Sequence, residues 1–272
     1  MAKFGLLIAA SLAADWRPLF DTFSLALRRD EYTHILLIIP ISLALMYTEW
    51  PSPRTDRKPD GWIGLELLLV AAVIGLVSLR EASDVRMFWS MVTLVTWWLG
   101  SFEVSFGAST FRSLLFPLCF LFWLVPLPLL ELNKTIAFWQ SGSALSASVL
   151  FSAVGVPVSQ NGVVLSIPGL NLEVAQECSS LRSSLMLVVT SMVLAHLFLR
   201  SNWRKAVVIA AAIPLSIAKN GVRIFTIAML GTRIDSGFLH GNLHHNGGIV
   251  FFSMALAAIL LLLWLLARGE HP

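Results

Sequence analysis

Long runs of apolar residues, nearly free of charge, constrain this chain more than any other feature of its sequence. A helix needs about 20 mostly apolar residues to cross the hydrocarbon core of a bilayer. Hydrophobic residues make up 57% of the 272 residues, and charged residues make up 13%, against roughly 25% in a soluble domain. The sequence therefore predicts an all-α polytopic membrane protein that forms a single domain over residues 1–272. The apolar runs lie near residues 4–24, 33–48, 62–79, 87–106, 110–131, 134–155, 181–199, 206–230 and 248–267.

One of these runs, 134–155, is rich in serine and follows Pro126 and Pro128, which end the preceding helix. Two basic loops, around Arg54 and Arg204, are expected in the cytoplasm, which requires an even number of crossings between them. We therefore predict about eight transmembrane helices, with the first span at the N-terminus and 134–155 as an interfacial or re-entrant helix. The alternative is a ninth span, and it is favoured by scattered arginines at positions 17, 28, 29, 80 and 86.

The connection between residues 156 and 178 predicts a small β-hairpin. Two β-prone runs, Val163–Ile167 and Leu170–Val174, flank the turn pair Pro168-Gly169. The connection contains no lysine or arginine, which is typical of the extracytoplasmic face. We expect the hairpin to deliver the chain to Cys178 at the start of the next helix.

Cys178 is a candidate nucleophile because it precedes a predicted helix that runs to about Leu199. The positive end of a helix and the cation Arg182, four residues later on the same face, both favour thiolate over thiol. The alternative is an inert, buried thiol. The other cysteine, Cys119, lies among apolar residues, where it behaves as a small hydrophobe. The sequence predicts neither a disulfide nor a cofactor.

Arg223 and His244 are the candidates for partners of Cys178. Arg223 is placed at the outer end of an apolar helix that begins near Lys205, where an arginine marks a functional site or reaches to the interface. His244 belongs to a group with His240 and His245 just before the last span, and histidine is the usual general acid or base near neutral pH. A metal site at these histidines is the alternative, but no carboxylate or thiol lies at ligand spacing, and we predict no metal.

These three residues precede or end helices of alternating direction, so we expect them at one depth of the membrane. A nucleophile, a proton carrier and a cation at one face form the set that acyl transfer requires.

The residues also resemble the motifs of the exosortase/archaeosortase family of membrane transpeptidases. Residues 173–179 resemble its cysteine motif, residues 220–224 its Asn-x-x-Arg-Ile motif, and residues 244–252 its histidine motif. His244 stands four residues before Gly248, as in the family, whereas His245 is one residue too late. The chain departs from the family at Ser180, where glycine is usual. Supporting roles are expected for Glu177, Arg182, Asn220 and His34.

The resemblance implies a substrate class and a location. The protein is expected in the bacterial inner membrane, in contact with the lipid bilayer, with its active site facing the periplasm. It would cleave secreted proteins that carry a tripartite C-terminal sorting signal of the PEP-CTERM type. It would then transfer them to a lipid- or polysaccharide-linked acceptor.

Other functions receive less support from the sequence. No basic stripe indicates a nucleic-acid partner. A non-catalytic membrane component of extracellular polysaccharide export is the principal alternative. An intramembrane metalloprotease or serine protease is disfavoured, because neither an HExxH helix nor a convincing serine elbow is present.

Overall fold

A computed structural model describes residues 2–51, 61–174, 181–235 and 248–270. The chain forms two compact units, Met1–Leu132 and Asn133–Pro272. Several residues singled out above lie outside the described residues: Arg54, Glu177, Cys178, Ser180, His240, His244 and His245.

The first apolar run forms two helices rather than one span. Helix α1 covers Ala2–Ala14, α2 covers Arg17–Arg28, and a short 3-10 helix follows at Asp30–Tyr32. The helix is interrupted between Ala14 and Arg17, where polar Asp15 follows the apolar residues of α1. Pro18 lies in the first turn of α2. With 13 residues, α1 extends only about 20 Å. The prediction of one continuous N-terminal span was therefore wrong.

The rest of the first unit is built around a long helix, α5. Helix α3 covers Ile35–Thr48, α4 covers Trp62–Ser78 and α5 covers Ser83–Ser113, followed by α6 at Leu115–Phe120 and a 3-10 helix at Leu121–Leu124. The helical backbone breaks at Gly107, which lies between the spans predicted at 87–106 and 110–131, but a separate membrane span over 110–131 is not confirmed. Gly107 kinks α5 with a φ of +82°, which glycine adopts without steric cost. The chain then bends by 109° between Ser83–Ser113 and Leu115–Leu124.

A buried carboxylate joins α4 to α5. Glu103 is fully buried, and its Oε2 accepts a hydrogen bond of 2.8 Å from the backbone N–H of Gly64, in the first turn of α4. That N–H has no partner within its own helix. A side chain on Gly64 would collide with Glu103 and Val104, so the glycine permits the close approach of the two helices.

Most of α7 and a small sheet form the beginning of the second unit. Helix α7 covers Leu129–Ala153 and starts directly after Pro128. Unlike four other described helices, α7 is not both long and apolar enough to cross a membrane. The sheet consists of β1 at Ser159–Asn161, β2 at Val164–Ile167 and β3 at Leu170–Glu173, all antiparallel in that order.

The predicted hairpin is confirmed in β2 and β3. Ile167 pairs with Leu170 across the Pro168-Gly169 turn. Gly169 has a φ of +83°, and proline followed by a glycine with positive φ is the signature of a type II turn. Strand β1 was not predicted, because Ser159, Gln160 and Asn161 are polar and exposed.

Three long helices complete the second unit: α8 at Leu181–Phe198, α9 at Asn202–Arg233 and α10 at Gly248–Arg268. These three and the segment Asp30–Thr48 are long and apolar enough to cross a membrane, and the bent pair in the first unit would make a fifth span. Two shorter apolar helices, α1 and α4, fall below that length. A helical membrane protein with a small sheet is thus confirmed, whereas the eight predicted spans are not.

Glu270, just beyond α10, caps the connection between α8 and α9. Its carboxylate accepts hydrogen bonds from the backbone N–H groups of Arg200 at 2.8 Å and Ser201 at 2.9 Å, and it lies 3.8 Å from the Arg204 guanidinium. These hydrogen bonds hold the pKa of Glu270 below its ordinary value of 4.5.

We predict that Glu270→Gln removes a pH-dependent part of the stability. A carboxyl with a lowered folded-state pKa stabilises the fold above its unfolded pKa, and this contribution is lost as the pH falls through the folded pKa. The thermal midpoint of Glu270→Gln should therefore lie below that of the parent protein at pH 7 and approach it below about pH 4.5. The exposed Glu66→Gln serves as a control, and parallel curves for Glu270→Gln and the parent protein would contradict the cap.

Candidate active site

The predicted site residues that are described fall into both units. Arg182 lies on α8, and Asn220 and Arg223 lie on α9, all in the second unit. His34 belongs to the first unit. The second unit therefore carries the arginine motif together with both chain ends, Val174 and Leu181, that flank Cys178 in the sequence.

Close contact between α9 and α7 positions the arginine motif. A Cβ on Gly221 would collide with the side chain of Ser146 and lie 3.0 Å from the backbone N of Ala147, so only glycine permits this approach. The neighbouring Asn220 is fully buried and donates a hydrogen bond of 2.9 Å from Nδ2 to Ser143 Oγ. Since Ser143 is itself buried, this bond satisfies polar groups that no water reaches.

A second polar contact joins α9 to α8. Lys219 is only 7% exposed, and its Nζ donates a short hydrogen bond to the hydroxyl oxygen of Ser183. Ser183 lies in the first turn of α8, next to Arg182. Two neighbouring residues of α9, Lys219 and Asn220, thus reach different helices, α8 and α7.

Arg223 lies inside α9 and not at its outer end. The helix continues through Arg223 to Arg233, so the expectation that Arg223 ends an outward helix was wrong. The residues that carry the helix onward are mostly apolar, and Ile224, Phe225, Ala228 and Met229 pack in a core cluster with residues of the sheet. Phe225 contacts Phe151 of α7 with ring centroids 5.1 Å apart.

After the sheet, the chain packs against α7 and α9 at Val174. Val174, the last described residue before the Cys178 segment, is 2% exposed and belongs to a core cluster with residues of α7, β2 and α9. Its carbonyl accepts a hydrogen bond of 2.8 Å from Gln140 Nε2 of α7. After the segment, the chain resumes at Leu181, which is buried at the start of α8. Both attachment points of the segment are therefore fixed by packing within the second unit.

His34 is committed to contacts within the first unit. It is 7% exposed, and Nδ1 lies 3.2 Å from the backbone oxygen of Glu31, so this nitrogen carries a proton. The ring meets Trp123 edge to face, with centroids 6.0 Å apart. These contacts explain the burial of the imidazole by packing, and a supporting role in catalysis stays a prediction.

The described part of the site is strongly cationic. Arg182, Lys219 and Arg223 contribute three positive charges, and the first turn of α8 carries no acidic residue. The N-terminus of α8 adds the positive end of a helix dipole. Such an environment stabilises a thiolate or the oxyanion that forms during attack on a carbonyl. Within the described ranges, no three histidine, cysteine or acidic residues are grouped as metal ligands would be.

Lys219, Ser183, Ser143 and Gln140 were not singled out from the sequence. Lys219 carried a usable signal, since a lysine inside an apolar span is costly and marks a functional position by default. The sequence gives no such signal for the two serines and the glutamine, because their hydrogen-bond partners lie far away in the chain. Ser183 and Lys219, for example, are separated by 36 positions.

A separate cavity of about 450 Å³ lies within the first unit. It contains none of the candidate site residues. Its walls are mostly apolar and come from α1, α2, α4 and α5, with Ser11, Asp15, Ser78, Ser90 and Thr93 as polar members.

Comparison with known proteins gives one match. A family model described as transmembrane exosortase matches residues 26–261, which is most of the chain. A search of curated proteins and a search of solved structures each found no match. The matched range includes Cys178, Arg223 and His244.

We predict that Asn220 and Ser143 are coupled energetically. In a double-mutant cycle with Asn220→Ala and Ser143→Ala, the free energies of unfolding in detergent should be non-additive by about 0.6 kcal/mol and by no more than about 1.7 kcal/mol, the range found for polar contacts between membrane helices. Ser148→Ala with Asn220→Ala provides an additive control on α7. Strict additivity for the first pair would contradict the hydrogen bond.

Proposed function

This chain belongs to the transmembrane exosortase family, and on that premise we propose that it is a membrane cysteine transpeptidase. The proposed nucleophile is Cys178, the proton carrier is His244, and Arg223 stabilises the oxyanion or holds the substrate. The cysteine, arginine and histidine motifs all fall within the range that matches the family.

In the proposed reaction, the thiolate of Cys178 attacks the scissile carbonyl carbon and forms a tetrahedral oxyanion. Collapse of the oxyanion breaks the C–N bond, and His244 gives a proton to the leaving amine. The product is a thioester between Cys178 and the new C-terminus. An acceptor nucleophile, deprotonated by His244, then attacks the thioester and releases the thiolate of Cys178.

The observation that carries the proposal is that Arg223 and the two described residues that flank the cysteine segment, Val174 and Leu181, belong to one compact unit. Arg223 lies on α9, and α9 contacts α7 at Gly221 and α8 at Lys219. The segment that contains Cys178 is attached to this unit at both ends, through Val174 and Leu181. Helix α9 shares a core cluster with Val174 and bonds to Ser183 in the first turn of α8, so it contacts the described chain on both sides of that segment.

The resemblance in sequence suggests the substrates and the acceptor. We propose secreted proteins with a tripartite C-terminal sorting signal as substrates, and a lipid- or polysaccharide-linked molecule as the acceptor. The same resemblance suggests the bacterial inner membrane and a site that faces the periplasm. Arg182, Asn220, Glu177 and His34 are proposed as supporting residues, and the contact between Asn220 and Ser143 is the structural support for one of them.

We predict that Cys178→Ala and His244→Gln abolish processing of a tagged substrate in cells. Loss of the nucleophile prevents the thioester, and loss of the proton carrier reduces the rate by about 10²- to 10⁴-fold. Immunoblotting of the substrate over time measures the ratio of precursor to processed form.

The chain provides a matched control for each variant. Cys119→Ala removes the other cysteine, and His245→Gln removes the neighbouring histidine; both should retain processing. Full processing in Cys178→Ala would overturn the proposal and favour a non-catalytic role in polysaccharide export. Loss in His245→Gln with retention in His244→Gln would move the proton carrier by one residue.

A further inference from the structure

We infer that the cavity of the first unit binds a phospholipid, with part of one acyl chain inside the cavity and an amine head group at Asp15. The cavity measures about 450 Å³, which is within the range of small-molecule binding pockets. The inference is independent of the proposed function, because no step of the proposed acyl transfer uses the residues of this cavity.

The cavity lies at one end of the helices that form it. Helices α1 and α4 both pack against α5, and α1 is fixed there because Trp97 Nε1 of α5 donates a hydrogen bond of 3.2 Å to the backbone oxygen of Leu7. The lining residues come from the last turns of α1 and α4 and from the first half of α5. The chain next to these helix ends is charged, which is typical of a membrane surface: it carries Asp15, Arg17, Arg80, Glu81, Asp84 and Arg86.

The inner wall of the cavity is apolar in effect, because its polar groups are bonded to the protein itself. The indole N–H of Trp97 is used by α1. The hydroxyl of Ser11 donates a hydrogen bond of 2.7 Å to the backbone oxygen of Ile8, and the hydroxyl of Ser78 donates one of 2.7 Å to that of Gly75. A polar ligand would lose its bonds to water here without replacement. The inner wall therefore favours a hydrocarbon chain.

The polar part of the cavity lies toward the membrane surface. Of the described residues that line the cavity, Asp15 alone is charged. It is exposed, and its Oδ1 accepts a hydrogen bond of 3.2 Å from the backbone N–H of Arg17. The hydroxyl of Thr93 is buried without a hydrogen-bond partner among the described residues, and Ser90 lies one turn before it on α5.

This distribution matches the order of groups in a phospholipid. The carboxylate of Asp15 attracts an ammonium group and repels an anionic head group. The hydroxyl of Thr93 is placed to donate to an ester oxygen, and the chain then continues past Trp97. The seven residues from Ser90 to Trp97 extend about 10 Å along α5, so the cavity holds only the part of the chain nearest the head group.

The outer surface of the first unit gives lipid access to the cavity. Large apolar side chains of α4 point outward and are exposed, among them Leu69, Val73, Leu76, Val77 and Leu79. Leu79 also lines the cavity, so the lipid-facing surface continues into its wall. A lipid can therefore enter sideways, with the rest of its chain remaining in the bilayer.

Photocrosslinking with two lipid probes tests the inference. Phosphatidylethanolamine and phosphatidylglycerol, each with a diazirine near the carboxyl end of one acyl chain, are mixed separately with the full-length protein in dodecyl maltoside. Labelled residues are mapped by mass spectrometry after irradiation and digestion. We expect label on the lining residues of α1 and α5, with a yield about two- to fivefold higher for phosphatidylethanolamine, as for an exposed ion pair.

Two variants with matched controls assign the two parts of the site. Ala14→Phe fills the cavity and should lower the label there about tenfold, because excluding two methylene groups of the chain has an effect of this size. Asp15→Asn keeps an acceptor for the N–H of Arg17 and should remove the preference for phosphatidylethanolamine. Ala13→Phe and Asp21→Asn change exposed residues that do not line the cavity and should match the parent protein.

Label confined to the outward residues of α4, such as Leu69 and Val73, would mean a surrounding lipid only and would overturn the inference, as would unchanged label in folded Ala14→Phe. Equal yields from the two probes would overturn the amine head group. Competition in the parent protein serves if Ala14→Phe does not fold. Unlabelled phosphatidylethanolamine should suppress the cavity label to saturation, and suppression no greater than at Leu69 would contradict a specific site.

Discussion

The position of α9 between α7 and α8 determines the geometry of the second unit. Gly221 permits α9 to approach α7, and Asn220 then reaches Ser143 across that contact. Lys219, the preceding residue, bonds to Ser183 on the other neighbour. Three consecutive residues therefore fix one helix against two others. Arg223 is placed by the same turns of α9, so any role it has in catalysis depends on these contacts.

A bilayer makes such polar contacts both costly and specific. Apolar side chains pack against each other in many arrangements, since lipid tails are as apolar as a leucine core. A buried asparagine or lysine tolerates only the arrangement in which its partner is present. The polar groups of α9 thus select one register of the three helices. The sheet adds to this selection, because Val174 packs into the cluster formed by α7 and α9 and bonds to Gln140.

Features set by neighbouring residues could be predicted from the sequence, whereas contacts between residues far apart in the chain could not. The Pro168-Gly169 turn predicted the hairpin because proline and glycine specify the backbone angles themselves. The N-terminal run was misjudged because hydropathy averages over Asp15, where the helix breaks. The break at Gly107 falls between the runs predicted at 87–106 and 110–131, whereas the bend of 109° that follows Ser113 has no signal in the hydropathy of the sequence. Arg223 was found by its charge, but its place inside α9 depends on the apolar residues that pack under the sheet.

The candidate site shows the same difference between local features and long-range contacts. Cys178, Arg223 and His244 were recognised from motifs, which encode residue type and spacing. Lys219 was missed because its significance depends on Ser183, a residue of another helix, and on burial that the sequence does not state. The cationic character of the start of α8 likewise arises from assembling Arg182, Lys219 and Arg223 in one unit.

The central claim is that Cys178 carries the acyl group, and mass spectrometry of a trapped intermediate tests it most directly. Purified protein in nanodiscs is mixed with a sorting-signal substrate, quenched in acid and digested. The account predicts an adduct on the peptide that contains Cys178, with the mass of the substrate peptide that ends at the new C-terminus, and loss of that mass on treatment with hydroxylamine, as expected for a thioester. Substrate cleavage without an adduct on Cys178, or with a stable adduct on another residue, would contradict it.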